Sequence, residues 1–217
     1  MVLLCFDMDN TLLKSNKVHV EAFNKAFALH GLKKVSAKRL IKHFGKIGYL
    51  VIKAIYPKLS DDKIHSILEW HNRFVVEETS KYAKQIPGAD RTLKQLDKSG
   101  YKLALLTNCS HGEINEMLKS ANIDINSFDA AIGANDVKHG KPWPDEIIKA
   151  KKVLNAHTVY MIGDSIYDVR TGKKAKVNTI SVLTGDFSKK QLLGEKPDYI
   201  LRSVADVPKL MKKIYNN

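Results

Sequence analysis

The chain has 217 residues, 44% hydrophobic and 27% charged, with a net charge of +13 from 36 Lys plus Arg against 23 Asp plus Glu. That length allows one or two domains with a sizeable core, the composition excludes a disordered polyelectrolyte, and no stretch nears the roughly 18 apolar residues that a membrane span needs. The cationic excess attracts anions, yet the lysines fall in scattered pairs such as Lys151-Lys152 and Lys212-Lys213 and arginine is scarce, so no specific nucleic-acid interface is expected.

The first apolar run, Val2 to Cys5, predicts a buried strand. It ends at Asp7, too short and too acidic at its end for a signal peptide, so a cytoplasmic protein without a membrane partner is expected. Cys5 and Cys109 each lie in or just after an apolar run, which suits separate near-core thiols better than a disulfide or metal framework. The strand is followed by FDMDNTLL, which places Asp7 and Asp9 on either side of a single residue. Two like charges at the end of a buried strand repel, and either an Asx-type turn or a bound cation must offset the cost.

Residues 15–85 then read as almost entirely helical. Val20-Phe23-Ala26-Phe27 and Ile64-Ile67-Leu68-His71 have i, i+3, i+4 spacing, and Pro57 with Ser60-Asp61-Asp62 marks a break and a helix start. The segment is expected to form a small helical unit inserted after the first strand, leaving 1–14 and 86–217 as the main domain.

From Gly88 onward helices and strands alternate. Helices are predicted near 91–98, 113–121, 144–154, 167–175 and 204–214, and strands at 102–107, 128–134, 158–163, 178–183 and 198–201. That alternation implies right-handed crossovers and a mostly parallel α/β sheet covered on both faces, with ligands beyond the carboxyl ends of its strands. Those ends carry Asp7, Asp9 and Thr11; Thr107 and Asn108; and Gly163, Asp164, Ser165 and Asp168, while Lys141 sits in the GKPWPD loop. Four carboxylates converging there would be destabilising unless something binds. A hard divalent ion with oxygen ligands suits them, and Mg²⁺ fits better than zinc because no His/Cys cluster is evident. One metal-bound aspartate could then attack phosphorus while its neighbour moves protons.

These residues resemble the four motifs of the haloacid dehalogenase-like hydrolases, in order: DMDNT at 7–11, Thr107, Lys141 and GDSIYD at 163–168. The resemblance covers the whole chain. It implies a Rossmann-like core with a helical cap at 15–85, as in the phosphoglycolate phosphatase-like and β-phosphoglucomutase-like branch. By that resemblance Asp7 is the nucleophile and Asp9 the general acid, then base. Asp7, the Asp9 carbonyl and Asp164 would hold Mg²⁺ with help from Asp168, and Thr107, the Asn108 amide and Lys141 would bind the phosphoryl group. Asn10 and Lys176 stand where glycine is usual. The acid at Asp9 favours phosphoryl chemistry over dehalogenation.

The implied activity is a phosphatase acting on a small phosphorylated metabolite, phosphoglycolate by default, in a monomer or a homodimer. A β-phosphoglucomutase-type phosphomutase is the alternative enzyme, since His19 falls where such relatives carry a catalytic histidine. A nucleic-acid-binding protein on a degenerate phosphatase scaffold is the alternative outside enzymes. Lys46, in the loop from His43 to Tyr49, would join His19 in cap specificity. Trp70 and Trp143 are expected to be packing residues.

Overall fold

Val2–Phe6 (β1) has every residue after Val2 buried, and its side chains alternate between two faces, so it sits in the middle of a sheet covered on both sides. The computed structural model describes residues 1–215; the last two residues of the main domain expected at 86–217 lie outside the described residues. After β1 come a two-residue strand β2 (Leu13–Lys14) and the helices α1 (Asn16–Leu29), α2 (Ala37–Ile41), α3 (Gly48–Ile55) and α4 (Asp61–Phe74). The chain then runs through β3 (Lys84–Gln85), α5 (Ala89–Lys98), β4 (Lys102–Leu106), α6 (His111–Ser120), β5 (Ala130–Ile132) and α7 (Asp145–Val153). It closes with β6 (Thr158–Gly163), α8 (Ile166–Lys174), β7 (Asn178–Val182), α9 (Lys189–Gly194), β8 (Tyr199–Leu201) and α10 (Val207–Tyr215).

Six strands form one parallel sheet in the order β5-β4-β1-β6-β7-β8. Register pairs Cys5 with Ala104 on one side and Met161 on the other, which brings the three strand ends level. On one face Leu4, Phe6, Leu103, Leu105 and Ile162 pack with Leu93, Met117 and Met211 from α5, α6 and α10. On the other, Leu3, Cys5, Leu106 and Met161 pack with Ile147 and Ala150 of α7. Each fully buried leucine contributes about 1.5–3 kcal/mol. The expected α/β architecture is present, with ends shifted by a few residues: the 128–134 strand contracts to three residues.

The antiparallel pair β2–β3, which the sequence pattern did not show, closes the two connections to the helical segment, pairing Leu13 with Gln85. Helices α1, α3 and α4 bury Phe23, Phe27, Ile52, Ile64 and Ile67 in a second core. Val18 and Ala22 of α1, and Val75 after α4, belong instead to the core under the sheet. The helical segment is thus anchored at its base and has its own core farther out.

Two residues flagged as departures are both left-handed: Asn10 has φ 55° and Lys176 φ 55°. At the end of α8, Val177 N–H reaches Gly172 O at 3.0 Å and Lys176 N–H reaches Lys173 O at 3.0 Å, a Schellman cap that favours glycine at Lys176. Trp143 corrects an expectation. It is 53% exposed, with Lys174 Nζ 4.2 Å from its ring centroid, because the loop before α7 carries it out of the core. No described helix is long and apolar enough to cross a membrane.

Candidate active site

At the end of β1 the main chain stays in the sheet for one more bond, Asp7 N–H to Ile162 O at 2.8 Å, so the Asp7 side chain leaves the sheet at its centre. Asn10 then turns the chain sharply in its left-handed conformation, and Thr11 comes back under Asp7. Its hydroxyl lies 3.0 Å from Asp7 Oδ2 and 3.3 Å from Asp164 Oδ1. Asp164 follows β6, and Asp168 is set in the first turn of α8 by a capping box: its Oδ2 accepts from Ser165 N–H at 3.1 Å and Ser165 Oγ at 2.6 Å. Gly163 and Gly185 give these carboxylates room, since a Cβ at Gly163 would strike Asp168 and one at Gly185 would strike Asp164.

Lys141 reaches in from the loop before α7 and is 4% exposed. Its ammonium donates to Asp7, to Asp168 Oδ1 at 2.9 Å and to Leu106 O at 3.2 Å, which uses all three N–H groups. Asp7, Asp164 and Asp168 are all buried, with ligand oxygens within 4.8 Å of one another. One ammonium against three carboxylates leaves excess negative charge in a place that water hardly reaches. Burial pushes Asp7 up to about 8, with Lys141 pulling it down and Asp168 and Asp9 raising it. Burial and then the charge of Asp7 also hold Asp164 well above the ordinary carboxylate range. Burial opposes the charge on Lys141, but Asp168 and Asp7 outweigh it and keep the amine protonated. Among the described residues, the Asp164 side chain has only the Thr11 hydroxyl as a donor. The all-oxygen donor set and the uncompensated charge fit a divalent cation such as Mg²⁺.

Asp9 turns its side chain away from that trio. Its Oδ1 is 3.1 Å from His19 Nε2, and its Oδ2 is 3.4 Å from the Cys109 thiol. Burial would raise Asp9, but the charge and hydrogen bond of His19 outweigh it and lower the group to about 2. Of Asp9, therefore, only the backbone remains to share in the expected metal set.

Thr107 and Asn108 follow β4. Thr107 is buried, with its hydroxyl accepting from Cys109 N–H at 3.2 Å, and Asn108 Oδ1 accepts the Lys141 N–H at 2.9 Å. All the expected residues except Asp168, that is Asp7, Asp9, Thr107, Asn108, Lys141, Asp164, His19 and Lys46, line one cavity of about 290 Å³ between the sheet edge and the helical segment. Asp168 lies just beneath it, behind Lys141 and Ser165.

Sequence reasoning passed over His71, Ser110 and Glu113, which also line the cavity. Ser110 and Ser165 each stand three residues before an acid, and that capping-box spacing was a readable signal for both helix starts. Nothing local marked His71, which reads as one more position on the apolar face of α4.

Comparison with known proteins identifies the family. The pattern of the haloacid dehalogenase-like hydrolases matches residues 4–182. A pyrophosphatase PpaX of Bacillus mycoides is 24% identical over 211 residues, covering 96% of each chain. A hydrolase from Pseudomonas syringae superposes with a TM-score of 0.86 at 24% identity over 99% of both chains. A structure described as a predicted phosphoglycolate phosphatase from Haemophilus somnus does so at 0.83 and 22% identity, covering 96% of this chain and 97% of its own. With its four motifs gathered at one sheet edge and the family pattern spanning most of its length, the chain belongs to the haloacid dehalogenase-like hydrolases and is an enzyme of that family.

Proposed function

We propose that the enzyme is a phosphatase that moves the phosphoryl group of a small phosphorylated metabolite first to Asp7 and then to water. The observation that carries this reading is the buried trio of Asp7, Asp164 and Asp168 around Lys141, on the floor of a cavity roofed by residues 15–85. Asp7, Asp164 and Asp168, with the Asp9 carbonyl, would hold Mg²⁺, which when bound neutralises charge on the phosphoryl oxygens.

In the first step an Asp7 carboxylate oxygen attacks phosphorus and the bond to the leaving oxygen breaks, its electron pair staying on that oxygen. The leaving oxygen takes up a proton by way of Asp9, which draws it from the His19 imidazole hydrogen-bonded to its Oδ1 at 3.1 Å. Asp9, now a carboxylate, next accepts a proton from water as the water oxygen bonds to phosphorus. The Asp7–phosphoryl bond breaks, and its electron pair restores the carboxylate. Lys141, the Thr107 hydroxyl and the Asn108 backbone amide bind the equatorial oxygens as charge gathers there.

Residues 15–85 act as the cap that admits substrate and controls water. Phosphoglycolate is the default substrate, and the relative named as a pyrophosphatase sets pyrophosphate beside it. A phosphorylated small molecule as substrate, together with two free cysteines, supports the cytoplasmic location expected from the sequence. The test is a panel of phosphoglycolate, pyrophosphate, nucleoside monophosphates and sugar phosphates assayed for inorganic phosphate. At least one should be turned over by the wild type and not by Asp7→Asn; no release from any member by the wild type would overturn the reading.

A further inference from the structure

Above the Asp9 side chain two histidines from different cap helices meet. His19, on α1, faces Asp9 through Nε2 at 3.1 Å and faces His71, on α4, through Nδ1, with 3.3 Å to His71 Nε2. His71 Nδ1 lies 2.9 Å from Asn72 Oδ1 and 3.9 Å from Glu113 Oε1. The four groups Asp9, His19, His71 and Asn72 thus form one unbroken hydrogen-bonded line from the catalytic loop into the cap.

The geometry decides between two uses of this cluster. His19, His71 and Glu113 could by composition hold a transition metal. However, the two rings lie within 16° of coplanar with centroids 5.4 Å apart, and the gap between that distance and the 3.3 Å between nitrogens is about one ring width. The rings therefore meet end to end, nitrogen to nitrogen. Tetrahedral zinc ligands aim their lone pairs at a common point to one side, whereas these two nitrogens point at each other, the arrangement of a hydrogen bond. His71 is 4% exposed and sandwiched by Phe23, whose ring centroid is 4.0 Å away. With Nδ1 donating to Asn72, its Nε2 offers the lone pair that His19 Nδ1–H requires, which fixes the orientation of the His19 ring.

We propose that His71 is a positioning residue for proton transfer: through His19 it holds the imidazole against Asp9 Oδ1, so that a proton can pass from His19 through Asp9 to the leaving oxygen. The proposal rests on the phosphatase reading. A histidine that only fills the cap core would affect all substrates alike, whereas one that serves Asp9 matters in proportion to how badly the leaving oxygen needs a proton.

The experiment compares His71→Met, which keeps the bulk without an acceptor in the right place, with His71→Gln, whose amide offers one. Steady-state kinetics are run on two esters, phosphoglycolate with its poor alkoxide leaving group and 2,4-dinitrophenyl phosphate, which departs without a proton, and folding is checked by thermal melting. His71→Met is expected to lower kcat on phosphoglycolate by about tenfold or more with KM little changed, while on the dinitrophenyl ester kcat stays within about threefold. His71→Gln is expected to recover most of the loss. Equal losses on both esters, or a change confined to KM, would overturn the proposal while leaving the phosphatase reading intact. If His71→Met fails to fold, Asn72→Ala, which removes the acceptor that fixes the His71 tautomer, is judged by the same ratio between esters. A wild type inactive on both esters would overturn the phosphatase reading, and this proposal with it.

Discussion

Asn108 ties the Lys141 loop to the helical segment: its Oδ1 accepts the Lys141 N–H at 2.9 Å while its Nδ2 lies 3.3 Å from Gly45 O, between α2 and α3. One side chain thereby links the Lys141 backbone to residues 15–85. Asn108→Ala keeps the backbone amide and the neighbouring Thr107 hydroxyl, so it removes the tie alone. We expect kcat/KM to fall roughly 10–100-fold, the equivalent of one or two lost hydrogen bonds in the transition state, with the melting temperature little changed. Gly45→Ala should act in the same direction, since its Cβ would lie 2.7 Å from the Tyr167 ring at a φ of 88°. Wild-type kinetics in both variants would show that the cap loop does not dock in this way during turnover.

The carboxylate trio predicts a metal requirement that can be read in two ways. Activity on an aryl phosphate should vanish in excess chelator and return with Mg²⁺, and Asp7→Asn should cost at least about a thousandfold because an amide is a poor nucleophile. Mg²⁺ at about a hundred times its dissociation constant should stabilise the fold by about 2.7 kcal/mol, several degrees in melting temperature. Asp164→Asn should lose most of that gain. A melting curve indifferent to Mg²⁺ would place the ion, if any, elsewhere.

Glu146 makes stability depend on pH. It is 0% exposed beneath Lys141, and neither carboxylate oxygen has a hydrogen-bond partner of good geometry. Burial raises it to about 7, against a partial lowering by Lys141. An acid raised on folding keeps its proton in the native state while the unfolded chain loses it from about pH 4.5 upward. Stability is therefore present below that pH and falls as pH rises toward about 7, with a penalty on the order of 1–3 kcal/mol above it. Glu146→Gln should remove the Glu146 share of this slope, leaving that of Asp7 and Asp164, and so raise the melting temperature at pH 8 while leaving it nearly unchanged at pH 4.5. Parallel melting-versus-pH curves for the two proteins would show that Glu146 is not the source.

Lys176 occupies a left-handed position that a side chain makes costly by about 1–2 kcal/mol, partly offset by the greater freedom of glycine in the unfolded chain. Lys176→Gly should stabilise the protein by about 1 kcal/mol, near 2–4 °C in melting temperature for a chain of this size, with activity unchanged. A lower melting temperature would mean that the lysine side chain contributes more than its backbone strain costs.

The sequence by itself determined the sheet, because buried parallel strands are short apolar runs closed by turns, and KLALL and TVYMIG carry that pattern in any context. It also determined that Asp7, Thr107 and Asp164 would meet, since every strand of a parallel sheet ends at the same edge, while Lys141 joins them from the loop between β5 and α7. What only tertiary structure decided was where each side chain turned. Asp9 and Asp7, two residues apart, part company once the chain has left the sheet: Asp7 joins Asp164 and Asp168, and Asp9 faces His19. His71 and His19 are fifty-two residues apart and meet only because α1 and α4 pack side by side in the cap core, a contact that follows from the helical faces they bury and not from any local motif. The β2–β3 ribbon was likewise invisible, since two residues per strand carry no period and their pairing depends on the cap returning the chain to its point of departure.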